Sequence, residues 1–403
     1  MIGFLAGIVL GVALGTVSGL LPGIHVNTLA VGLLAVQAVL IPVFGVDMIA
    51  VAMMAALVTH TFLDIIPSTF LGIPDADTAI SVIPSHVLCL EGNGEEAVRI
   101  AALGSAWGFL AAVPLCFILL LLAPLIQNSL DWAIGIILTT VAAYLILSGE
   151  SPLYAFMTFI ISGILGIFTL YFSYLGGGLF GSMGILMPLL SGLFGISLLL
   201  VSSQGKVPEQ SFSGINIPAK MMVRGGCSGT IAGIVVGWLP GLSNATANGV
   251  IASVTSYNRE PRGYIFATST ANTVNAIVGL AAFYAILRTR NGVMVALSSL
   301  EAPPFTTLLA ASAVAAVIAY LLTVSLAASA WRLGGIKKKN LYGGVILFII
   351  ILTFLLCGLF GIMVLVLATL VGLAVKLLNI SQVYCIGAIM LPVIFFSFGI
   401  TFP

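Results

Sequence analysis

The sequence predicts an all-α membrane protein that crosses the bilayer many times. Of its 403 residues, 61% are hydrophobic and only 6% are charged, whereas a soluble domain usually carries about 25% charged residues. The apolar residues form stretches long enough to span a bilayer core roughly 30 Å thick. The sequence does not contain the short alternating segments typical of a transmembrane β-barrel. Because backbone groups in lipid must be satisfied internally, we expect these stretches to be helices.

The apolar stretches form two sets with the same order along the chain. Each set begins with a hairpin around a Pro-Gly pair, continues with two long spans and a second hairpin, and ends with a last span. In the first half the stretches lie at 2–21, 24–42, 48–66, 101–126, 132–148, 152–172 and 182–203. In the second half they lie at 226–239, 242–256, 263–287, 304–331, 341–357, 358–377 and 379–400. The sequence therefore predicts two repeats, 1–203 and 221–403, joined by a linker at 204–220.

Each half opens with glycine at every fourth position, and each of these glycine ladders ends on a Pro-Gly pair. The ladder positions are Gly3, Gly7, Gly11, Gly15, Gly19 and Gly23, and then Gly225, Gly229, Gly233, Gly237 and Gly241. Glycine at this spacing lets two helix backbones approach closely. We therefore interpret Gly3 to Gly15 and Gly225 to Gly233 as packing faces. The functional hypothesis concerns the two Pro-Gly pairs, called the first tip (Pro22 and Gly23) and the second tip (Pro240 and Gly241).

The charge distribution predicts how the chain is oriented in the membrane. Residues 1–205 hold one basic and nine acidic residues, and residues 206–403 hold twelve basic and three acidic residues. Basic loops around Lys220, Arg262 and Lys338 are expected in the cytoplasm. The 204–220 linker is cytoplasmic in this topology.

These basic loops share one side only if 226–256 enters the membrane and returns as a re-entrant hairpin. The stretch 226–239 has 14 residues, about 21 Å as a helix, which is too short to cross. Each half then crosses three times, so the second repeat is inverted relative to the first. The protein is expected in the plasma membrane, with both termini on the outside. The loop near 127–131 is also expected on the outside.

Inverted repeats with broken helices in matching positions are typical of transporters. The helix after each Pro-Gly pair exposes free N–H groups and the positive end of its dipole, which favour an anion. The predicted substrate-binding residues are Pro22, Gly23, His25, Asn27 and Thr28 in the first half, and Pro240, Gly241, Ser243, Asn244 and Thr246 in the second. Arg288 and Arg290 follow an apolar span on the predicted outer side. They either anchor the chain at the interface or bind a carboxylate of the substrate.

A second set of polar residues is expected to couple transport to Na⁺ or H⁺. His60 and Asp64 are four residues apart, on one helical face, and ionisable residues at membrane depth are usually functional. The other members of this set are Asp75, Thr270, Asn272 and Asn275. Alternatively, Asp64 lies near the interface and is solvated, and the amides and hydroxyls of the second half merely link helices. We expect no cofactor, and no metal beyond Na⁺.

Two motifs resemble the large permease subunit of the tripartite tricarboxylate transporter family. The form G-x-(L/I)-P-G-(L/I) occurs twice, as GLLPGI at 19–24 and GWLPGL at 237–242, and residues 71–104 loosely follow the family's G-(I/V)-P-G-…-A-L-G segment. Asp75 stands where the family usually has glycine, and the chain is shorter than typical permeases. The resemblance implies a carboxylate transporter driven by Na⁺ or H⁺, with the tips and the 72–78 segment forming the site. It also implies two partners, a small membrane subunit and an extracytoplasmic solute-binding protein.

Two functions remain open on the sequence alone. The first is a transporter that lies in the lipid bilayer and couples a small organic anion to a cation. The second is a translocase of a lipid-linked anion such as a polyprenyl phosphate, which would need a lateral opening to lipid. The sequence contains none of the motifs of an intramembrane protease, such as Gly-x-Gly-Asp or His-Glu-x-x-His, so no enzyme is predicted. Nucleic acid is not an expected partner, and homo-oligomerisation is left open.

Overall fold

The computed structural model describes residues 2–21, 24, 26–72, 82–149, 151–178, 184–201, 207–239, 241–242, 244–254, 260–335 and 338–400. Within these residues every regular element is a helix, and seven helices are long and apolar enough to cross a membrane. The prediction of an all-α polytopic membrane protein is therefore confirmed. The α-helices are α1 (Ile2–Leu20), α2 (Val26–Ala35), α3 (Gln37–Phe44), α4 (Val46–Leu63), α5 (Ile65–Leu71), α6 (Val82–Leu90), α7 (Gly94–Leu147), α8 (Pro152–Tyr171), α9 (Leu186–Leu190), α10 (Ser197–Val201), α11 (Ala219–Trp238), α12 (Asn244–Val254), α13 (Pro261–Ile286), α14 (Gly292–Ser298), α15 (Phe305–Ala327), α16 (Lys338–Leu377) and α17 (Gly387–Ser397).

Two helical segments of 26 residues each lie at the centre of the fold. They are α4 continued by α5 (Val46–Leu71) and α13 (Pro261–Ile286). At 1.5 Å per residue each is about 39 Å long, enough to cross a bilayer core of about 30 Å. Their most apolar windows are 100% and 94% buried, compared with 22% for α7. Other helices therefore surround the central pair, so polar side chains on these two segments are shielded from lipid.

The glycine ladders pack α1 against α4 and α11 against α13 in the same register. Cβ atoms added at Gly7, Gly11 and Gly15 would lie 2.6, 2.4 and 2.6 Å from the carbonyl oxygens of Met48, Ala52 and Ala56. The same addition at Gly225, Gly229 and Gly233 gives 3.0, 2.2 and 2.7 Å to the carbonyl oxygens of Gly263, Ala267 and Ala271. Only glycine allows backbones this close. The interpretation of the ladders as packing faces is confirmed.

The order of these contacts shows that the helices of each pair run parallel. The chain must therefore return between them, and α2 and α3 do this in the first half: a Cβ on Gly3 would lie 2.8 Å from the carbonyl oxygen of Phe44, the last residue of α3. The last contact of each ladder with its partner helix lies before the end of that helix. Gly19 meets Leu63, eight residues before the end of α5, and Gly237 meets Val278, eight residues before the end of α13.

The two central segments run antiparallel to each other. The Thr273 hydroxyl donates to Thr61 Oγ1 at 3.1 Å, and Asn272 Nδ2 donates to Asp64 Oδ2 at 2.7 Å. Further along α5, Phe70 shares a buried apolar cluster with residues at the start of α13. The two glycine-packed pairs consequently point in opposite directions. The inversion of the complete repeats and the re-entrant depth of the hairpins stay predictions.

Two predicted lengths are wrong, because polar residues that end an apolar stretch need not end a helix. Helix α7 continues through 127–131, where Gln127 Nε2 donates to Asp131 Oδ1 at 2.6 Å, since that segment holds neither glycine nor proline. Helix α11 begins at Ala219 and has 20 residues, about 30 Å, instead of the predicted 14. The break predicted between 341–357 and 358–377 is confirmed at Gly358, whose φ is 62°.

Replacing Gly229 with alanine should lower the thermal stability of the protein. The new Cβ would lie 2.2 Å from the Ala267 carbonyl oxygen, and overpacking of this kind costs about 1–3 kcal/mol. Gly343→Ala in α16 is the matched control, because its Cβ would meet no described atom within 4 Å and the gain in helix propensity is similar. Unfolding midpoints of the detergent-solubilised variants measure the difference; equal midpoints would contradict the close packing of α11 on α13.

Candidate functional site between the two hairpins

Asp64 lies at a turn between α4 and α5. Pro67 has no N–H to donate to the carbonyl of Leu63, four residues earlier, so the helix is interrupted there. The Ser68 hydroxyl donates to the Asp64 carbonyl oxygen at 3.0 Å and stabilises the turn. A Cβ on Gly19 would lie 2.6 Å from Leu63 Cβ and 3.4 Å from the Asp64 nitrogen. The end of α1, just before the first tip, is therefore packed against Asp64.

Three buried polar side chains link the two central segments to the start of α12. Asn272 Nδ2 donates to Asp64 Oδ2 at 2.7 Å, and Asn244 Nδ2 donates to Asn272 Oδ1 at 2.7 Å. The exposed fractions are 4% for Asp64, 6% for Asn272 and 2% for Asn244. Asn244 is the first residue of α12, directly after the second tip. This Asp64–Asn272–Asn244 arrangement, called the central polar chain, runs from the end of α1 to the start of α12.

The donor set of the central polar chain suits a proton or a monovalent cation. Hard cations prefer carboxylate and amide oxygens, and a buried carboxyl group readily takes up a proton. The Oδ1 atom of Asn244 has no hydrogen-bond partner within the described ranges. Among those residues there is also no group of three His, Cys, Asp or Glu side chains that could hold a metal ion. A single carboxylate with two amides has the chemistry that suits Na⁺ or H⁺ better than a transition metal.

The other residues predicted for cation coupling take different positions. His60 Nδ1 lies 3.0 Å from Ser18 Oγ and connects α4 to α1. The Thr270 hydroxyl donates to the Gly104 carbonyl at 2.9 Å and connects α13 to α7. Asn275 is partly buried on α13, three residues after Asn272, and Asp75 lies outside the described residues. Among the described members of this set, a direct side-chain hydrogen bond joins Asp64 and Asn272.

The predicted substrate residues are only partly described. Outside the described residues lie Pro22, Gly23, His25, Pro240 and Ser243. Asn27 and the backbone of Thr28 belong to α2, and Asn27 packs against Gly292, where a Cβ would lie 2.7 Å from that of Asn27. Thr246 is buried in α12 close to Asn244. Gly241 has a φ of 78°, a conformation that suits glycine, as expected at a tight tip.

Arg290 connects the two arms of the second hairpin. Its Nη2 donates to the Val236 carbonyl at 2.6 Å and to the Leu242 carbonyl at 3.2 Å. Burial, with a smaller effect of Arg288, lowers the pKa of Arg290 to about 10, so the side chain stays charged at neutral pH. No acidic side chain of the described residues forms an ion pair with Arg290. Its positive charge therefore lies at the second tip without a counter-ion from that part of the chain.

Arg288 lies two residues away and faces a different direction. Its Nη2 contacts Asp131 Oδ1 of α7, and the side chains are 20% and 46% exposed. This pair belongs to the surface of the molecule, whereas Arg290 contacts the hairpin backbone. The structure thus separates two arginines that the sequence analysis treated as one group.

The sequence analysis missed a polar cluster at the other end of α13. Arg262 donates from Nε and Nη2 to the two carboxylate oxygens of Glu96 at 2.9 and 2.7 Å, and the Asn216 backbone N–H donates to Glu96 Oε1 at 2.8 Å. The cluster joins the starts of α7 and α13 to the extended segment before α11. Residues 166 positions apart share no local pattern that would reveal this contact.

The profile of the "Tripartite tricarboxylate transporter TctA family" matches residues 5–387. The chain belongs to this family. A TctA family member is a component of a transporter that works with partner subunits in a tripartite system, so this chain is a multi-pass membrane protein of a transporter family. An uncharacterized protein of Methanocaldococcus jannaschii is 30% identical over 301 residues, which cover 73% of this chain and 72% of that relative. No solved structure matches the chain with significance.

Asn244 and Asn272 should be energetically coupled. Residues in direct hydrogen-bond contact show coupling energies of about 0.5–3 kcal/mol in double-mutant cycles. We expect the double variant Asn244→Ala with Asn272→Ala to be less destabilised than the sum of the two single variants, because the first change already breaks the shared hydrogen bond. Unfolding free energies of the four proteins in detergent give the coupling.

A second cycle serves as the control for that coupling. It combines Asn244→Ala with Ser312→Ala in α15, whose hydroxyl donates within its own helix to the Leu308 carbonyl at 2.8 Å. The effects in this cycle should add. Additive effects in the first cycle as well would show that the hydrogen bond between the two asparagines does not stabilise the protein.

Proposed function

We propose that this TctA family member is a secondary active transporter that moves a small organic anion together with Na⁺ or H⁺. The observation that supports this most is the central polar chain, which joins the end of α1 beside Asp64 to the start of α12 at Asn244. A site held between two helical hairpins opens or closes when one hairpin moves against the other, as alternating access requires.

The anion binds at the second tip in this proposal. Helix α12 begins there at Asn244, and its first N–H groups and dipole favour negative charge. Arg290 adds a full positive charge beside the same turn. The first-half residues Pro22, Gly23, His25, Asn27 and Thr28, with Pro240, Gly241, Ser243 and Thr246 of the second tip, complete the proposed site. The ligand is a carboxylate, and a di- or tricarboxylate fits the family name.

Coupling follows from the charge of Asp64. An ionised Asp64 would repel a carboxylate bound near Asn244, since like charges in a site of low dielectric constant interact strongly. Na⁺ or H⁺ on Asp64 removes this repulsion. For Na⁺, the Asn272 amide would turn its oxygen toward Asp64 in place of the NH₂ group that faces the carboxylate in this structure. Each ion therefore favours binding of the other, and the two cross together. His60, Asp75, Thr270 and Asn275 support this cation site from neighbouring positions.

Family membership supports a proposal for the physiological setting. We propose that the chain lies in the plasma membrane with both termini outside and works with a small membrane subunit and an extracytoplasmic solute-binding protein. It catalyses no covalent reaction. A translocase of a lipid-linked anion would use the same tips, and a flipping assay with labelled lipid in the same proteoliposomes separates the two functions.

Replacing Asp64 with asparagine should abolish coupling while leaving anion exchange. Proteoliposomes with the wild-type protein should accumulate labelled citrate or succinate under an inward Na⁺ or H⁺ gradient, and the Asp64→Asn variant should not. Exchange of labelled for unlabelled anion without a gradient should persist, because the neutral side chain no longer repels the carboxylate. Initial uptake rates with and without each gradient give the coupling ratio.

Asp47→Asn is the matched control for this experiment. Asp47 belongs to the same helix but is exposed at its first turn, so its variant should transport like the wild type. Gradient-driven uptake by Asp64→Asn at the wild-type rate would remove Asp64 from the coupling site. No flux of any carboxylate through the wild-type protein, alone or with its partners, would count against the proposed function itself.

A further inference from the structure

A cavity of about 840 Å³ lies between α7, α8, the loop after α13, and α17. Its volume is in the range of about 300–1,000 Å³ that small-molecule sites occupy. The polar side chains in its wall are Asp131, Tyr171, Arg288 and Ser397, and the remaining residues of the wall are apolar. The cavity thus combines one ion pair with a long apolar surface, a lining that suits an amphiphile better than a small multivalent anion.

The mouth of the cavity faces the side of the molecule, where lipid chains lie. Phe396, Ile400 and Leu170 line the cavity and are 75%, 50% and 40% exposed. Exposed apolar side chains on membrane helices contact acyl chains. Tyr171 in the wall and Trp132 next to Asp131 are also exposed, and such residues concentrate at the membrane–water interface. The polar end of the cavity therefore lies at the depth of the lipid head groups.

The charges at this polar end favour an anion. Arg288 Nη2 contacts Asp131, but Arg288 Nη1 is buried and has no hydrogen-bond partner within the described residues. Arg290 lies close enough to Arg288 for the two charges to repel, so Asp131 alone does not balance the positive charge of this region. Asp131 is nearly half exposed, and exposed ion pairs are weak. A guanidinium can therefore turn one edge to a phosphate group, the partner that its fork geometry fits best.

We propose that this cavity holds one anionic phospholipid from the bilayer, with its phosphate on Arg288 and an acyl chain along the apolar wall. The wall includes Val393, which also packs on the second tip: a Cβ on Gly241 would lie 3.2 Å from Val393 Cβ. A bound lipid would thus pack against Val393, which in turn packs against Gly241 of the second tip. The inference depends on the cavity and its arginine and does not require the transport proposal to be correct.

Lipid retention measures this site directly. The full-length protein is purified from nanodiscs that contain equal amounts of phosphatidylglycerol and phosphatidylcholine, and native mass spectrometry counts the lipids that remain. We expect one retained phosphatidylglycerol on the wild-type protein. Arg288→Gln should weaken its retention roughly tenfold, the effect of one lost charge-assisted contact. Arg332→Gln is the matched control, because Arg332 is exposed and stacks on Trp331 away from the cavity.

A second variant tests the cavity without changing its charge. Ile167→Trp fills the apolar part of the wall and keeps Arg288, so it should also lose the lipid, while its unfolding midpoint reports whether the fold is intact. Equal retention by Arg288→Gln and Arg332→Gln would overturn the proposal. So would equal retention of phosphatidylcholine and phosphatidylglycerol by the wild type. Binding of sodium decanoate without retention of phosphatidylglycerol would assign the cavity to a free carboxylate and overturn the phospholipid.

Discussion

The close approach of helix backbones at glycine is the constraint on which the rest of this structure depends. Helix α1 lies on α4, and α11 lies on α13, with glycine hydrogens where any other residue would place a carbon within about 3 Å of a carbonyl oxygen. Because this register is used twice, the last glycine contact of each ladder lies eight residues before the end of its partner helix. The end of α1 lies against Asp64, and the start of α12 is hydrogen-bonded to Asn272.

Because other helices enclose the central pair, polar side chains on these two segments can be stable inside a membrane protein. Lipid offers no hydrogen-bond partners, so side chains such as Asp64 and Asn272 are stable there only when protein groups bind them. The central polar chain meets this condition and joins the two central segments to the start of α12 at the same time. A bond in a site of low dielectric constant is strong, and an ion that changes the charge of Asp64 changes the bond. The structure and the proposed coupling thus depend on the same three side chains.

The sequence predicts the class of fold and the identity of the polar residues better than it predicts their contacts. The helical class, the packing role of the glycines and the break at Gly358 follow from composition and local pattern. The sequence indicates Asp64, Asn272 and Asn244 as site residues but does not predict their contacts. The two hydrogen bonds join residues that are 208 and 28 positions apart along the chain, beyond any helical period. The sequence pattern underestimates the lengths of α7 and α11, because a polar segment need not end a helix. The ion pair of Glu96 and Arg262 gave no local signal at all.

The most direct test of the central claim is the position of a bound substrate. Crystals of the protein grown with a brominated dicarboxylate would show the bromine by anomalous diffraction. The account predicts a single strong peak between the hairpins, with the carboxylate groups in contact with the start of α12 and close to Asp64 and Arg290. A peak in the cavity beside Arg288 or on the outside of the helices, with the space between the hairpins empty, would contradict it.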